Sequence, residues 1–169
     1  SDVINAVTMK LQSKTHLVGD SGFEKADYSQ NFRTNGTVRQ TTIFKYENGS
    51  SADLAWQSDK ALRQQVSYRN GAIDSNTVTG LNISSITYLL GDSGFERADY
   101  SQNYKANGID VRNTTLFFYE RLLTQLRASD TTLDDDAALR RQDTYRNGTA
   151  GSDVINAVTM KLQSKTHLV

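Results

Sequence analysis

Ala26–Gly49 reads ADYSQNFRTNGTVRQTTIFKYENG, and how this stretch folds decides how the rest of the chain is read. Its residues alternate in character. In strand geometry Tyr28, Gln30 and Phe32 share one face, as do Phe44 and Tyr46. Between the two runs sits Asn35-Gly36, a pair that tolerates the positive φ of a two-residue type I′ turn. A Tyr-bearing strand, an Asn-Gly turn and a Thr-rich return strand predict a β-hairpin.

Working outward, the same signals return. GDSGFEKADYSQNFRTNG at Gly19–Gly36 reappears as GDSGFERADYSQNYKANG at Gly91–Gly108, which sets Tyr100, Gln102 and Tyr104 on one face. Phe117 and Tyr119 pair in the same way, and further Asn-Gly dipeptides fall at 48–49, 70–71, 107–108 and 147–148. The ends match without a difference: SDVINAVTMKLQSKTHLV occupies Ser1–Val18 and again Ser152–Val169, an offset of 151. Val7, Met9 and Leu11 alternate with polar residues, as do Val158, Met160 and Leu162, so each end predicts a strand. Such identity implies recent duplication, homogenisation between tandem copies, or design.

Three stretches break the alternation. SSADLAWQSDKALRQQ (50–65) and TTLDDDAALRRQ (131–142) place Ser or Thr before acidic residues and close on Arg, and ERLLTQLR (120–127) spaces its leucines helically. They predict short helical connectors. The expected fold is mostly β: a repetitive β-hairpin array or β-solenoid with two pseudo-equivalent arms, residues 1–72 and 73–151, with 152–169 as the strand that begins the next repeat. The alternative is α+β. Units of this kind bury apolar faces against their neighbours and form elongated particles.

Composition restricts function. At 37% hydrophobic and 22% charged the chain supports a narrow core, and Lys plus Arg equals Asp plus Glu at 19 each. No net field favours nucleic acid or anionic lipid, and no apolar run approaches a membrane span. Cysteine is absent, so no disulfide staples the unit. Proline is absent too, which leaves every backbone N–H free to join a ladder. No export-signal pattern opens the chain, so any such signal lies outside these residues.

Candidate chemistry is sparse. His16 and His167 are one repeated position with no cysteine or second histidine near it, too few ligands for zinc. Asp134, Asp135 and Asp136 lack the spacing of a calcium loop. Glu24 with Asp27, and Glu96 with Asp99, point to opposite faces of a strand and read as solvated charges. Ser21 and Ser93, within GDSG, have no histidine and acid brought to them by sequence and read as turn residues. Asn35, Asn48, Asn82, Asn113 and Asn147 match the N-glycosylation triplet, a pattern common where Ser and Thr abound. Trp56 reads as a cap over the core. No cofactor and no enzymatic activity are expected.

Two binding readings remain. Tyr28, Tyr46, Tyr100 and Tyr104 form a ladder that either packs inside the array or, if exposed, stacks glycans. The duplicated ends point to self-association, head to tail or as a filament, through Val158, Met160 and Leu162, weakened by deletion of 152–169.

The hairpin of Ala26–Gly49 resembles the YD repeats of RHS-type proteins and related long repetitive surface proteins of bacteria. Tyr-Asp itself is missing at most turns, which read TYRNG, SYRNG and KYENG. The resemblance implies hairpins wound into a ribbon or shell and an extracellular or cell-surface location. The expected function is a structural or adhesive tandem-repeat module, with a carbohydrate- or partner-binding module as the alternative.

Overall fold

The computed structural model of the chain describes residues 10–168 apart from Leu123. It is mostly β, a ten-stranded antiparallel sheet that does not close into a barrel. The strands are β1 (Ser13–Val18), β2 (Lys25–Phe32), β3 (Val38–Tyr46), β4 (Leu62–Arg69), β5 (Ile83–Leu90) and β6 (Arg97–Tyr104). They continue with β7 (Val111–Arg121), β8 (Thr124–Arg127), β9 (Leu139–Arg146) and β10 (Leu162–His167). Each strand pairs with its sequence neighbour, except that β8 folds back on the far end of β7 and β9 takes the next place. The hairpin array is therefore the form adopted, not stacked solenoid coils. No helix is long and apolar enough to cross a membrane among the described residues.

The sequence repeat is also a register repeat. His16 pairs with Tyr28 and Tyr88 with Tyr100, and both ring pairs stack, at 4.1 and 4.3 Å. Thr42 opposes Ser67 as Thr115 opposes Thr144. Strands β1–β4 thus correspond to β5, β6, β7 and β9, and β10 corresponds to β1 and β5. One face carries Tyr28, Gln30, Tyr46, Tyr100, Gln102 and Tyr104, all buried. The other presents Ser29, Thr42, Ser85, Ser101 and Thr115, the polar side an open antiparallel sheet turns to water.

The Asn-Gly pairs serve three different turns. At Gly36 (φ 84) the chain closes a turn in which Gly36 N donates to Arg33 O and Arg33 N donates to Thr37 O. Asn35 is not at positive φ, so this is a type I turn ended by a left-handed glycine. Gly108 (φ 71) ends the equivalent turn between β6 and β7. Asn48 and Gly49 do combine φ 58 and 70, the type I′ pattern, yet they open the β3–β4 connector and close no hairpin. Asn70-Gly71 and Asn147-Gly148 turn the chain out of β4 and β9 and across the sheet.

The short helical connector expected at 50–65 forms, whereas the other two stretches are turns and strands. Residues 50–65 hold a single turn, α1 (Ala52–Ala55), continued by a 3₁₀ turn at Trp56–Ser58, after which Leu62–Gln65 enter β4. Residues 131–142 are turns and then β9, while 120–127 fold into the β7–β8 corner with Leu122 at φ 51. In 120–127 and 131–142 a lone helical turn would not repay its nucleation, whereas a strand beside an existing ladder gains a bond per residue pair. The terminal strand is also shorter than expected: only Leu162–His167 is extended, and Ala157–Thr159 is a turn. The expected strand at Val7 and Met9 lies outside the described residues.

Candidate functional site

Each repeat is locked by a buried glutamine. Gln30 Nε2 donates to Ala72 O (2.8 Å) and Ser75 O (3.1 Å), and its Oε1 accepts from Asp74 N (3.0 Å). Gln102 does the same to Thr149 O, Ser152 O and Gly151 N. Both side chains are 0% exposed. The loop after β4 or β9 is thus clasped over the tyrosine face, and every carboxamide hydrogen bond is spent inside. Gly71 and Gly148 allow the approach, since a Cβ there would lie 2.2 or 2.3 Å from Thr41 or Thr114 Oγ1. The clasp of the first repeat reaches past residue 72 to Ser75.

The tyrosines are covered in different ways: the hydroxyl of Tyr100 donates to Gly151 O of the clasp, Tyr46 packs on Ala52 and Ala55 of α1, and Tyr104 on Val66, Ile86 and Val111. Tyr28, Tyr46, Tyr100 and Tyr104 are 6, 4, 9 and 4% exposed, which leaves no ring open to stack a sugar and corrects the glycan reading of that face. Burial pushes the Tyr46 phenol up to about 12, with the Glu96 carboxylate adding to it. Its hydroxyl donates to Ala26 O, as Tyr119 donates to Ala98 O.

The seam between the arms, where β4 meets β5, shows what one repeat offers the next. Val66, Ile86, Tyr104 and Val111 form its core, with Tyr68, Ile83 and Tyr88 packed around them. Polar bonds frame it. Arg69 Nη2 donates to Tyr104 O (3.1 Å) and Lys105 O (3.3 Å), Arg63 Nη1 to Gly91 O (2.7 Å), and Leu62 N to Glu96 Oε1 (2.9 Å). Ser93 Oγ lies 2.7 Å from both Lys25 Nζ and Asp59 Oδ1, a bridge between arms. Glu96 and Ser93, read from sequence as a solvated charge and a turn residue, are both seam residues.

Both halves of this seam recur toward the two ends of the sheet, one on β9 beneath the edge strand β10 and the other around β1 and β2. On β9 stand Leu139, Arg140, Tyr145 and Arg146, the equivalents of Leu62, Arg63, Tyr68 and Arg69. Around β1 and β2 stand Leu11, Gly19, Glu24, Phe32 and Arg33, the equivalents of Ile83, Gly91, Glu96, Tyr104 and Lys105. Leu11 is 58% exposed, and it lines a groove of about 520 Å³ with Lys10, Lys14, Phe32, Arg33 and Ile73. At the inner seam this space is closed: Tyr68 opposes Ile83 there.

The edge strands differ in how they are held. On β1, Lys14 Nζ pairs with Asp74 at 2.7 Å, and His16 Nε2 lies 3.5 Å from the same carboxylate, which Lys14 holds below the usual carboxylate range. On β10 all six residues are exposed. Of the residues expected to associate, Val158 (86%) and Leu162 (53%) are open to solvent, whereas Met160 is buried at 5% and accepts from Asn156 N through Sδ. Met160 is therefore a packing residue of its own chain.

Sequence reading missed Gln30 and Gln102, whose signal was a glutamine kept at one place in both hairpins, and Arg69 and Arg146, repeated as YRNG. No group of three His, Asp or Glu side chains is placed to hold a metal among the described residues. No family model, curated protein or solved structure matches the chain.

Proposed function

We propose that the chain is a structural tandem-repeat module that associates head to tail through its two terminal sheet edges. One observation carries this reading: the donors of the inner seam recur in kind along β9, and its acceptors recur beside β2, each without its counterpart. Two opposite ends of a sheet that carry the halves of one seam make a heterologous contact, which propagates as an open chain of copies. The resemblance to YD repeats supports a cell-surface, adhesive or filament-forming setting for such a module.

The reading is tested by light scattering at rising protein concentration. Mean mass is expected to climb with concentration, and to climb less for Leu11→Asp, which sets a charge in the groove. A strict monomer throughout would contradict self-association.

A further inference from the structure

We propose that a second copy docks by strand displacement: its β1, still paired with its own β2, replaces β10 on β9 of the first copy. The idea rests on the head-to-tail reading and adds which of the two identical strands is shared. Three observations carry it.

The first is the difference in grip. β1 keeps the Tyr28 stack on His16 and the Lys14–Asp74 ion pair whatever lies on its outer edge. β10 pairs with β9 alone among the described strands, and Lys165 and His167, the same residues in sequence, stand exposed. Displacement costs β10 only contacts that β1 restores letter for letter, since Leu11–Leu17 and Leu162–Leu168 are identical.

The second is what the exchange adds. Arriving with its own β2, the incoming β1 brings Phe32 O, Arg33 O, Gly19 O and Glu24 to Arg146, Arg140 and Leu139 N. These are the bonds already made at the inner seam by Arg69, Arg63 and Leu62. Tyr145 gains the groove beside Leu11 and Phe32 that β10 does not supply, because β10 has no β2 behind it.

The third is selectivity. At the inner seam Val66 opposes Ile86, but in β9 the corresponding residue is the buried Asp143, opposite Lys165. The incoming Lys14 repeats Lys165, whereas an edge strand with an apolar residue at that place, as Ile86 holds in β5, would leave Asp143 facing it. The carboxylate thus steers the edge toward β1.

Ladder geometry supplies the test. Phe32 N donates to Gln12 O, and Leu168 N to Arg140 O. Because alternate residues of an antiparallel strand bond to opposite sides, Thr166 N–H points at β9, while the identical Thr15 N–H points away from β2 into the empty edge. Thr15→Pro therefore leaves β1 on β2, and Thr166→Pro loosens β10 from β9. Full-length protein and both variants are compared by sedimentation equilibrium, with circular dichroism confirming that each is folded. Thr166→Pro is expected to tighten association by at least about tenfold and Thr15→Pro to weaken it by at least about tenfold. Weakening by Thr166→Pro with no effect of Thr15→Pro would make β10 the shared strand, and equal weakening by both would mean edges meeting without exchange. Either result overturns displacement and leaves head-to-tail association standing. Monomers in all three samples would remove both.

Discussion

Gly36 and Gly108 hold the same place in the repeated segment and the same left-handed backbone, yet they meet different surroundings. A Cβ on Gly36 finds nothing within 4 Å, whereas on Gly108 it lies 2.8 Å from Ile83 N and 2.9 Å from Asn82 Cα. The difference follows from the seam: Asn82 and Ile83 cross behind Gly108, while the space beside Gly36 is the open groove. Gly36→Ala is expected to cost about 1 kcal/mol from the left-handed φ alone, and Gly108→Ala roughly 2–3 kcal/mol because backbone must also move. Urea denaturation of the two variants measures this, and equal losses would contradict the asymmetry. The glycines were legible in sequence as Asn-Gly turns. Their surroundings were not, because Asn82 and Ile83 come beside Gly108 only once β5 is paired with both β4 and β6.

At the scale of elements, the second repeat differs from the first by the β8 corner, and Arg127 explains how it is fixed. Its Nε donates to Asp99 Oδ1 (3.0 Å), and its Nη2 lies 2.9 Å from Asp99 Oδ2 and 3.0 Å from Asp153. In the first repeat the corresponding pair is Asp27 with Asn76, where the amide donates to the carboxylate and no arginine intervenes. Arg127→Ala leaves two carboxylates facing each other, one of them buried, at an expected cost of roughly 3 kcal/mol. Adding Asp153→Asn restores the arrangement of the first repeat and is expected to recover about half. Thermal unfolding of the single and double variants reads both, and a double variant no better than the single would contradict the account. Period-two alternation made β2, β3, β6 and β7 legible. It missed β8 because ERLLTQLR carries helix-spaced leucines, and the strand forms there only because β7 runs on past its last pair with β6, Tyr100 opposite Leu116, and offers an edge on that side.

For the whole molecule, nine strands lie in one continuous path whose two ends are the same strand written twice. The duplication was plain in sequence, as was the class of fold. What sequence could not give was the asymmetry of the two copies: Met160 turned inward, β10 gripped on one side, β1 stacked on Tyr28. Those depend on which neighbour each copy lacks. The absence of cysteine allows a direct measurement of the proposed register. Within the chain Thr166 opposes Gln142, so an incoming β1 places Thr15 opposite Gln142, with Cα atoms about 5.5 Å apart and within disulfide range. Thr15→Cys and Gln142→Cys proteins, mixed under mild oxidation, are predicted to form a mixed disulfide dimer in preference to either like pair. Ser29→Cys, on β2 and away from the edge, is predicted not to replace Thr15→Cys in that reaction. Like pairs alone, or equal cross-linking from Ser29, would contradict the claim that the two edges rebuild the inner seam.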